Sequence, residues 1–220
     1  MTLELYKVVE INDNYLRISI PGNDFPLLNS LRKIILNDIP SMAITSVFIT
    51  ENTSSLVDEV LAHRIGLLHL LAVDTDFIEF SDDDNYDENN SLKFGISVIY
   101  SPKKNCIMSS DLIWIEQGKQ KKFLTLEPKV VHEDVLLCRL APGQQVQLEA
   151  LATKGRGKDN AKFNIVSSCY YRQEDGGKSC SFIIEAENGI SPEIILKQGI
   201  KILKSKSTYT YHKENEGDGE

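Results

Sequence analysis

The run Asn29-Ser30-Leu31-Arg32-Lys33-Ile34-Ile35-Leu36, followed by Ile39-Pro40-Ser41-Met42-Ala43-Ile44 and then by Asp58-Glu59-Val60-Leu61-Ala62-His63-Arg64-Ile65-Gly66-Leu67, decides how the chain is read. On a helical wheel Leu27, Leu28, Leu31, Ile34, Ile35 and Ile39 share an arc of roughly 140°, with Leu36 just outside it. Gly22-Asn23-Asp24 offers a cap, and Pro26 is tolerated in the first turn because its missing donor would have had no partner there. The helix must end near Asp38, since the residue ahead of Pro40 is pushed out of the helical region. From Met42 to Glu51 the pattern changes: Ala43, Thr45, Val47 and Ile49 alternate against Ile44, Ser46, Phe48 and Thr50, which reads as a strand. A shorter helix is expected from about Leu56 to Leu68. A wide-striped helix that runs into a proline-marked turn and a strand suits a packing surface, not a catalytic centre.

Working outward, Leu3 to Ile11 and Tyr15 to Ile20 both alternate around the turn residues Asn12-Asp13-Asn14, so a β-hairpin opens the chain. The acidic, Asn-rich stretch Ser81 to Ser91 has too little apolar content to pack and reads as a loop. From Leu92 to about Val166 the sequence is mostly short strands and turns, among them Phe94 to Tyr100, Val135 to Leu140 and Gln145 to Leu151. Tyr170, Tyr171 and Ser181 to Glu187 read as a return to the opening sheet. Ser191-Pro192-Glu193 starts a last helix with cap, proline and acid in order. Ile195, Leu196, Gly199, Ile200, Ile202 and Leu203 share one side of it, and after Lys206 the polar composition predicts fraying. Glycine in a helix costs about 1 kcal/mol relative to alanine, so Gly199 implies a close approach to its backbone. The patterns leave two readings open: both apolar faces are filled internally, or part of them meets another protein.

Two hundred and twenty residues can bury a sizeable core and suit one large domain or two modest ones. With 41% apolar and 25% charged residues the composition is ordinary for a globular protein. No apolar run is long enough to span a bilayer, and the start of the chain lacks a basic segment followed by an apolar one, which argues against secretion. The net charge of −8, with acid gathered at Asp82 to Glu88 and Glu214 to Glu220, disfavours direct binding to a phosphate backbone. Cys106, Cys138, Cys169 and Cys180 contain no Cys-x-x-Cys pair, so neither a zinc nor an iron–sulfur site is expected, and the thiols are expected to be reduced.

Other constellations carry little chemistry. His63 and His69 are six apart and do not share a helical face as a metal pair. Lys154-Gly155-Arg156-Gly157-Lys158 has glycines that suit an anion-binding loop but lacks the Gly-Lys-Ser/Thr ending of a phosphate-binding one. Asp82-Asp83-Asp84 resembles a magnesium-binding acidic triad, yet its Asn-rich surroundings read as a solvated loop. No serine sits in a Gly-x-Ser-x-Gly setting. No catalytic residue, metal or cofactor is assigned.

The stretch from Asn29 to Leu67, with Val135 to Gln144, Ala152 to Phe163, and Ser191 to Ile195 with Gln198-Gly199-Ile200, resembles the alpha-like subunit of multisubunit DNA-dependent RNA polymerases, the family of the archaeal D subunit and the third-largest eukaryotic subunit. The resemblance implies an α+β fold: a two-part dimerisation domain, residues 1–50 and 144–220, built as a small antiparallel sheet with two packing helices and interrupted by a β-rich insert domain, residues 51–143. It implies a non-catalytic scaffold that forms a heterodimer with a small L-like subunit and docks the second-largest subunit. Carried over by position, Phe25, Leu28, Leu31, Arg32, Ile35, Ile195, Gly199 and Leu203 would make the dimer contact. Asp58, Glu59, His63, Arg64, Lys158 and Lys162 would face the large subunit. Many family members carry a four-cysteine insertion that this chain lacks. A homodimeric scaffold of the bacterial alpha type stays open, as does an independent enzyme sited in the β-rich middle, although no motif supports the latter.

Overall fold

The computed structural model describes residues 7–22, 24–71, 85–124, 126–174, 176, 178–186 and 189–217. Residues 3–6 of the expected first strand, Asp82-Asp83-Asp84 and the end of the acidic tail, residues 218–220, lie outside the described residues. In chain order the elements are β1 (Lys7–Ile11), β2 (Tyr15–Pro21), α1 (Phe25–Asn37), β3 (Pro40–Asn52), α2 (Asp58–Gly66), β4 (Leu70–Leu71), β5 (Ser91–Ile99), β6 (Cys106–Met108), β7 (Ile113–Ile115), α3 (Gln120–Phe123), β8 (Lys129–Val130), β9 (Leu136–Arg139), β10 (Gln145–Arg156), β11 (Val166–Glu174), β12 (Ser179–Ala186) and α4 (Pro192–Gly217). Single 3-10 turns occur at Ser109–Asp111 and Ala161–Phe163. The fold is α+β, in two compact units.

The terminal unit comprises Met1–Ile39, Arg156–Asp159 and Asn164–Glu220. Its sheet has the order β1-β2-β12-β11, every neighbouring pair antiparallel, so the opening hairpin and the last two strands share one sheet. Leu16 pairs with Ile184 and Ile18 with Phe182, and the period-2 alternation sends all four to the same side, together with Cys180. There they meet Leu28, Leu31 and Ile35 of α1 and Ile195 and Leu196 of α4. The α1 boundaries follow from its sequence: the Asp24 carboxylate accepts from the Leu27 N–H at 3.3 Å, and the Asp38 N–H closes the helix on the Ile34 carbonyl at 2.9 Å. Helix α4 runs to Gly217, past the Lys206 position where polar composition predicts fraying.

The central unit comprises Pro40–Gly155 and Asn160–Phe163. Its main sheet has the order β3-β10-β5-β7, and two-stranded pairs β4-β8 and β6-β9 complete it. Leu92, Phe94 and Ile96 of β5, Leu148 and Ala150 of β10, and Leu61 and Ile65 of α2 share its core. The division between units therefore falls at Ile39/Pro40 and Gly155/Arg156, not at 50/51 and 143/144. The reason is strand length: β3 and β10 are neighbours in the central sheet and β10 pairs with β5 from Gln145 to Thr153, so neither strand is cut at a midpoint turn.

The acidic stretch also differs from the expectation of an unpacked loop, in its described part. The Asp87 carboxylate accepts from the N–H groups of Asn89 at 2.8 Å and Asn90 at 3.0 Å, and the Asn90 amide returns a bond to the Asn85 carbonyl at 2.9 Å. Such Asx turns satisfy the backbone locally without apolar burial. Among the described residues no helix is long and apolar enough to cross a membrane.

Candidate protein interface

The α1–α4 pair accounts for most of the widest apolar stripe in the sequence. Leu31 is 1% exposed and Ile195 is fully buried, with Leu28 and Ile35 buried beside them. Four of the residues expected to meet a partner are thus consumed by the chain's own core, because the stripe has a sheet on one flank and a second helix on the other. The close approach that Gly199 implied is also internal. A Cβ there would sit 2.9 Å from Ile35 Cγ1 and 3.4 Å from Leu31 Cδ1, so only glycine lets α4 come down on α1. The Lys206 ammonium reaches the Asp38 carboxylate at 2.8 Å and ties the middle of α4 to the C-terminal end of α1.

What the core does not cover lies around that seam. Phe25, Leu36, Ile200, Ile202 and Leu203 pack only partly against it and keep apolar area in solvent; Leu27 is likewise half-buried. Burial on α4 fades along the helix, from Ile195 and Leu196 at the start to Ile202 and Leu203 two turns later. Phe25 stacks on Tyr171 with centroids 6.0 Å apart. Arg32 is half-buried and donates to the Asn29 side chain at 3.0 Å. Of the residues expected at the dimer contact, Phe25, Arg32 and Leu203 retain surface, as do Leu27, Leu36, Ile200 and Ile202. Beneath α1, burial pushes the Cys169 thiol up to about 12, against the opposing pull of the Arg32 charge.

In the central unit, Asp58, Glu59, His63 and Arg64 all lie exposed on α2. Asn52 holds the Asp58 carboxylate at 2.7 Å, and the Arg64 guanidinium donates to the Leu136 carbonyl at 2.6 Å. Leu61 and Ile65 pin the inner side of the helix to the core. Its outer side carries Glu59 and His63, while Val60 on its flank is 44% exposed and the cap residues Val57 and Leu67 are 61% and 54% exposed. Below Leu67 opens a cavity of about 290 Å³, floored by Leu68, Val130 and Leu137 and rimmed by Arg64 and His132.

The basic loop is divided. Lys162 donates to the Ile44 carbonyl at 2.9 Å and lies 5.6 Å over the Phe163 ring, and burial holds its ammonium below the usual lysine range. It is engaged in its own unit's packing. Lys158 belongs to the terminal unit, where its side chain is exposed and its N–H bonds the Asn37 carbonyl at 3.1 Å. The glycines serve close packing. A Cβ on Gly155 would lie 2.4 Å from the Phe163 ring, and one on Gly157 2.3 Å from the Leu36 carbonyl. All four thiols are free, and the described residues hold no cluster of three metal-ligating side chains.

Comparison with known proteins places this arrangement. Residues 17–207 match the family model described as the RNA polymerase Rpb3/Rpb11 dimerisation domain. The chain is 32% identical over 185 residues to DNA-directed RNA polymerases I and III subunit RPAC1 of Mus musculus, covering 75% of this chain and 53% of the mouse protein. It is 34% identical over 170 residues to the subunit of the same name from Saccharomyces cerevisiae, covering 68% and 50%. It is 34% identical over 158 residues to DNA-directed RNA polymerase subunit Rpo3 of Methanobrevibacter smithii, covering 68% and 51%. The chain thus spans about half the length of the curated relatives it matches.

Proposed function

The chain belongs to the RNA polymerase Rpb3/Rpb11 dimerisation-domain family, and from that premise we propose that it is a non-catalytic assembly subunit of a DNA-directed RNA polymerase. Its terminal unit pairs with a small L-like subunit, and the resulting heterodimer docks the second-largest subunit. The observation that carries the pairing is the ring of half-covered apolar residues, Phe25, Leu27, Leu36, Ile200, Ile202 and Leu203, around a seam whose centre is already closed. Residues in that state suit an interface laid over a finished core: the monomer folds first, and the partner removes the remaining apolar area from water.

Large-subunit docking is assigned to Asp58, Glu59, His63 and Arg64 on α2 of the central unit; Lys158, exposed in the terminal unit, is a separate candidate contact. Lys162 supports it only indirectly, by fixing the loop from within. The test is the native mass of the chain after co-expression with its cognate small subunit. A one-to-one complex is expected; a dimer of the chain alone would replace the heterodimer with the homodimeric arrangement, and a persistent monomer would remove the scaffold reading.

A further inference from the structure

Helix α1 ends in a way that its own sequence does not complete. The last carbonyls of an α-helix have no partner within it, and a common remedy is a glycine just past the end that folds the chain back over them. Here the chain continues Asp38-Ile39-Pro40. Asp38 stays in the right-handed region with its N–H on the Ile34 carbonyl, and Pro40 has no N–H to offer. The carbonyls of Leu36 and Asn37 are left to a distant part of the chain.

A turn of the same unit, Arg156–Asp159, meets them. The Asp159 N–H closes this turn on the Arg156 carbonyl at 2.9 Å, which puts Gly157 and Lys158 at its tip. The Lys158 N–H donates to the Asn37 carbonyl at 3.1 Å. Gly157 is wedged between the Leu36 carbonyl and the Asn164 side chain, so that a Cβ would overlap the oxygens of both. Its φ lies outside the left-handed region, so glycine is required there by space and not by conformation. From the side of α4, the Lys206 ammonium holds the Asp38 carboxylate at 2.8 Å. The helical turn fixed in this way carries Leu36, half-buried at the rim of the α1–α4 seam.

We propose that the Arg156–Asp159 turn is a positioning element for pairing: it caps the C-terminal end of α1 and so aims Leu36 at the small subunit, with Gly157 as the positioning residue. The inference rests on the pairing reading above and adds to it a residue outside the contact on which the contact depends. The use of the Lys154-Gly155-Arg156-Gly157-Lys158 motif in pairing then lies in its main chain.

The experiment measures the Kd between the full chain and its cognate small subunit, well below the melting temperature. Gly157→Ala, whose methyl group displaces the Leu36 carbonyl, is expected to keep a cooperative thermal melt, to speed amide hydrogen exchange in the last turn of α1, and to weaken pairing about tenfold. In a Leu36→Ala background the same substitution is expected to cost less than about twofold, because the contact it aims is already gone; a merely structural role would give the same loss in both backgrounds. Asp159→Ala, at an exposed position of the same turn, is expected to pair as the parent does. Pairing by Gly157→Ala within about twofold of the parent overturns the proposal, as do equal losses in the two backgrounds, or loss of the cooperative melt, which would make the turn a condition of folding. If the parent chain does not bind the small subunit, the pairing reading itself falls and the positioning role falls with it.

Discussion

Helices α1 and α2 teach opposite lessons about how an apolar stripe relates to a partner. In the sequence α1 carries the broadest stripe and α2 reads only as a shorter helix from about Leu56 to Leu68. In the folded chain Leu28, Leu31 and Ile35 disappear into the terminal core, whereas Val60 on the flank of α2 and Val57 and Leu67 at its caps remain in solvent. Breadth of stripe reports how many neighbours a helix has and does not say which of them belong to the same chain. Residual exposure after folding is the quantity that points outward.

The largest effect that tests this contrast is Leu31→Asp. A carboxylate placed at a position 1% exposed, with no partner, is expected to unfold the terminal unit, costing about 3–5 kcal/mol. The check is chemical denaturation of the chain alone, followed by a probe in each unit. Equal stability of variant and parent would mean that α1 is not seated on the sheet.

A second, smaller effect comes from Cys169 beneath α1. Its folded value of about 12 lies above the 9.0 of a free thiol, so between these values the unfolded chain has given up a proton that the native chain still holds. Stability conferred by the neutral thiol is therefore complete below pH 9 and declines as pH rises, by about 1.4 kcal/mol at pH 10. Comparing the unfolding free energy of the parent and Cys169→Ala across pH 8–10 isolates this contribution, and parallel curves would place the thiol nearer solvent. Smaller again is Gly199→Ala. The gain in helix propensity, about 1 kcal/mol, opposes the overpacking of a methyl 2.9 Å from Ile35 Cγ1. Overpacking costs about 1–3 kcal/mol, so a net loss of about 1 kcal/mol is expected in thermal unfolding. A stabilised variant would show that α1 and α4 stand further apart.

Much of the fold was legible because period and punctuation agreed. The hairpin around Asn12-Asp13-Asn14, the Asp24 cap, the strand after Pro40 and the Ser191-Pro192-Glu193 start all lie where the sequence puts them. The unit boundaries did not, because turn residues mark where a strand can end and not where its sheet partners stop; β3 and β10 run on together within the central sheet. The site was legible only in part. Gly199 announced a close approach, but a sequence cannot say that Ile35 of the same chain makes it. Asn85 to Asn90 were underestimated because counting apolar residues overlooks what Asx side chains do for the backbone.

The central claim is that pairing uses the half-covered rim of the α1–α4 seam and not its buried centre. Leu203→Asp, co-expressed with the cognate small subunit and weighed by native mass spectrometry, tests it most directly. The account predicts a folded monomer that no longer pairs. A heterodimer formed as readily as by the parent would contradict it.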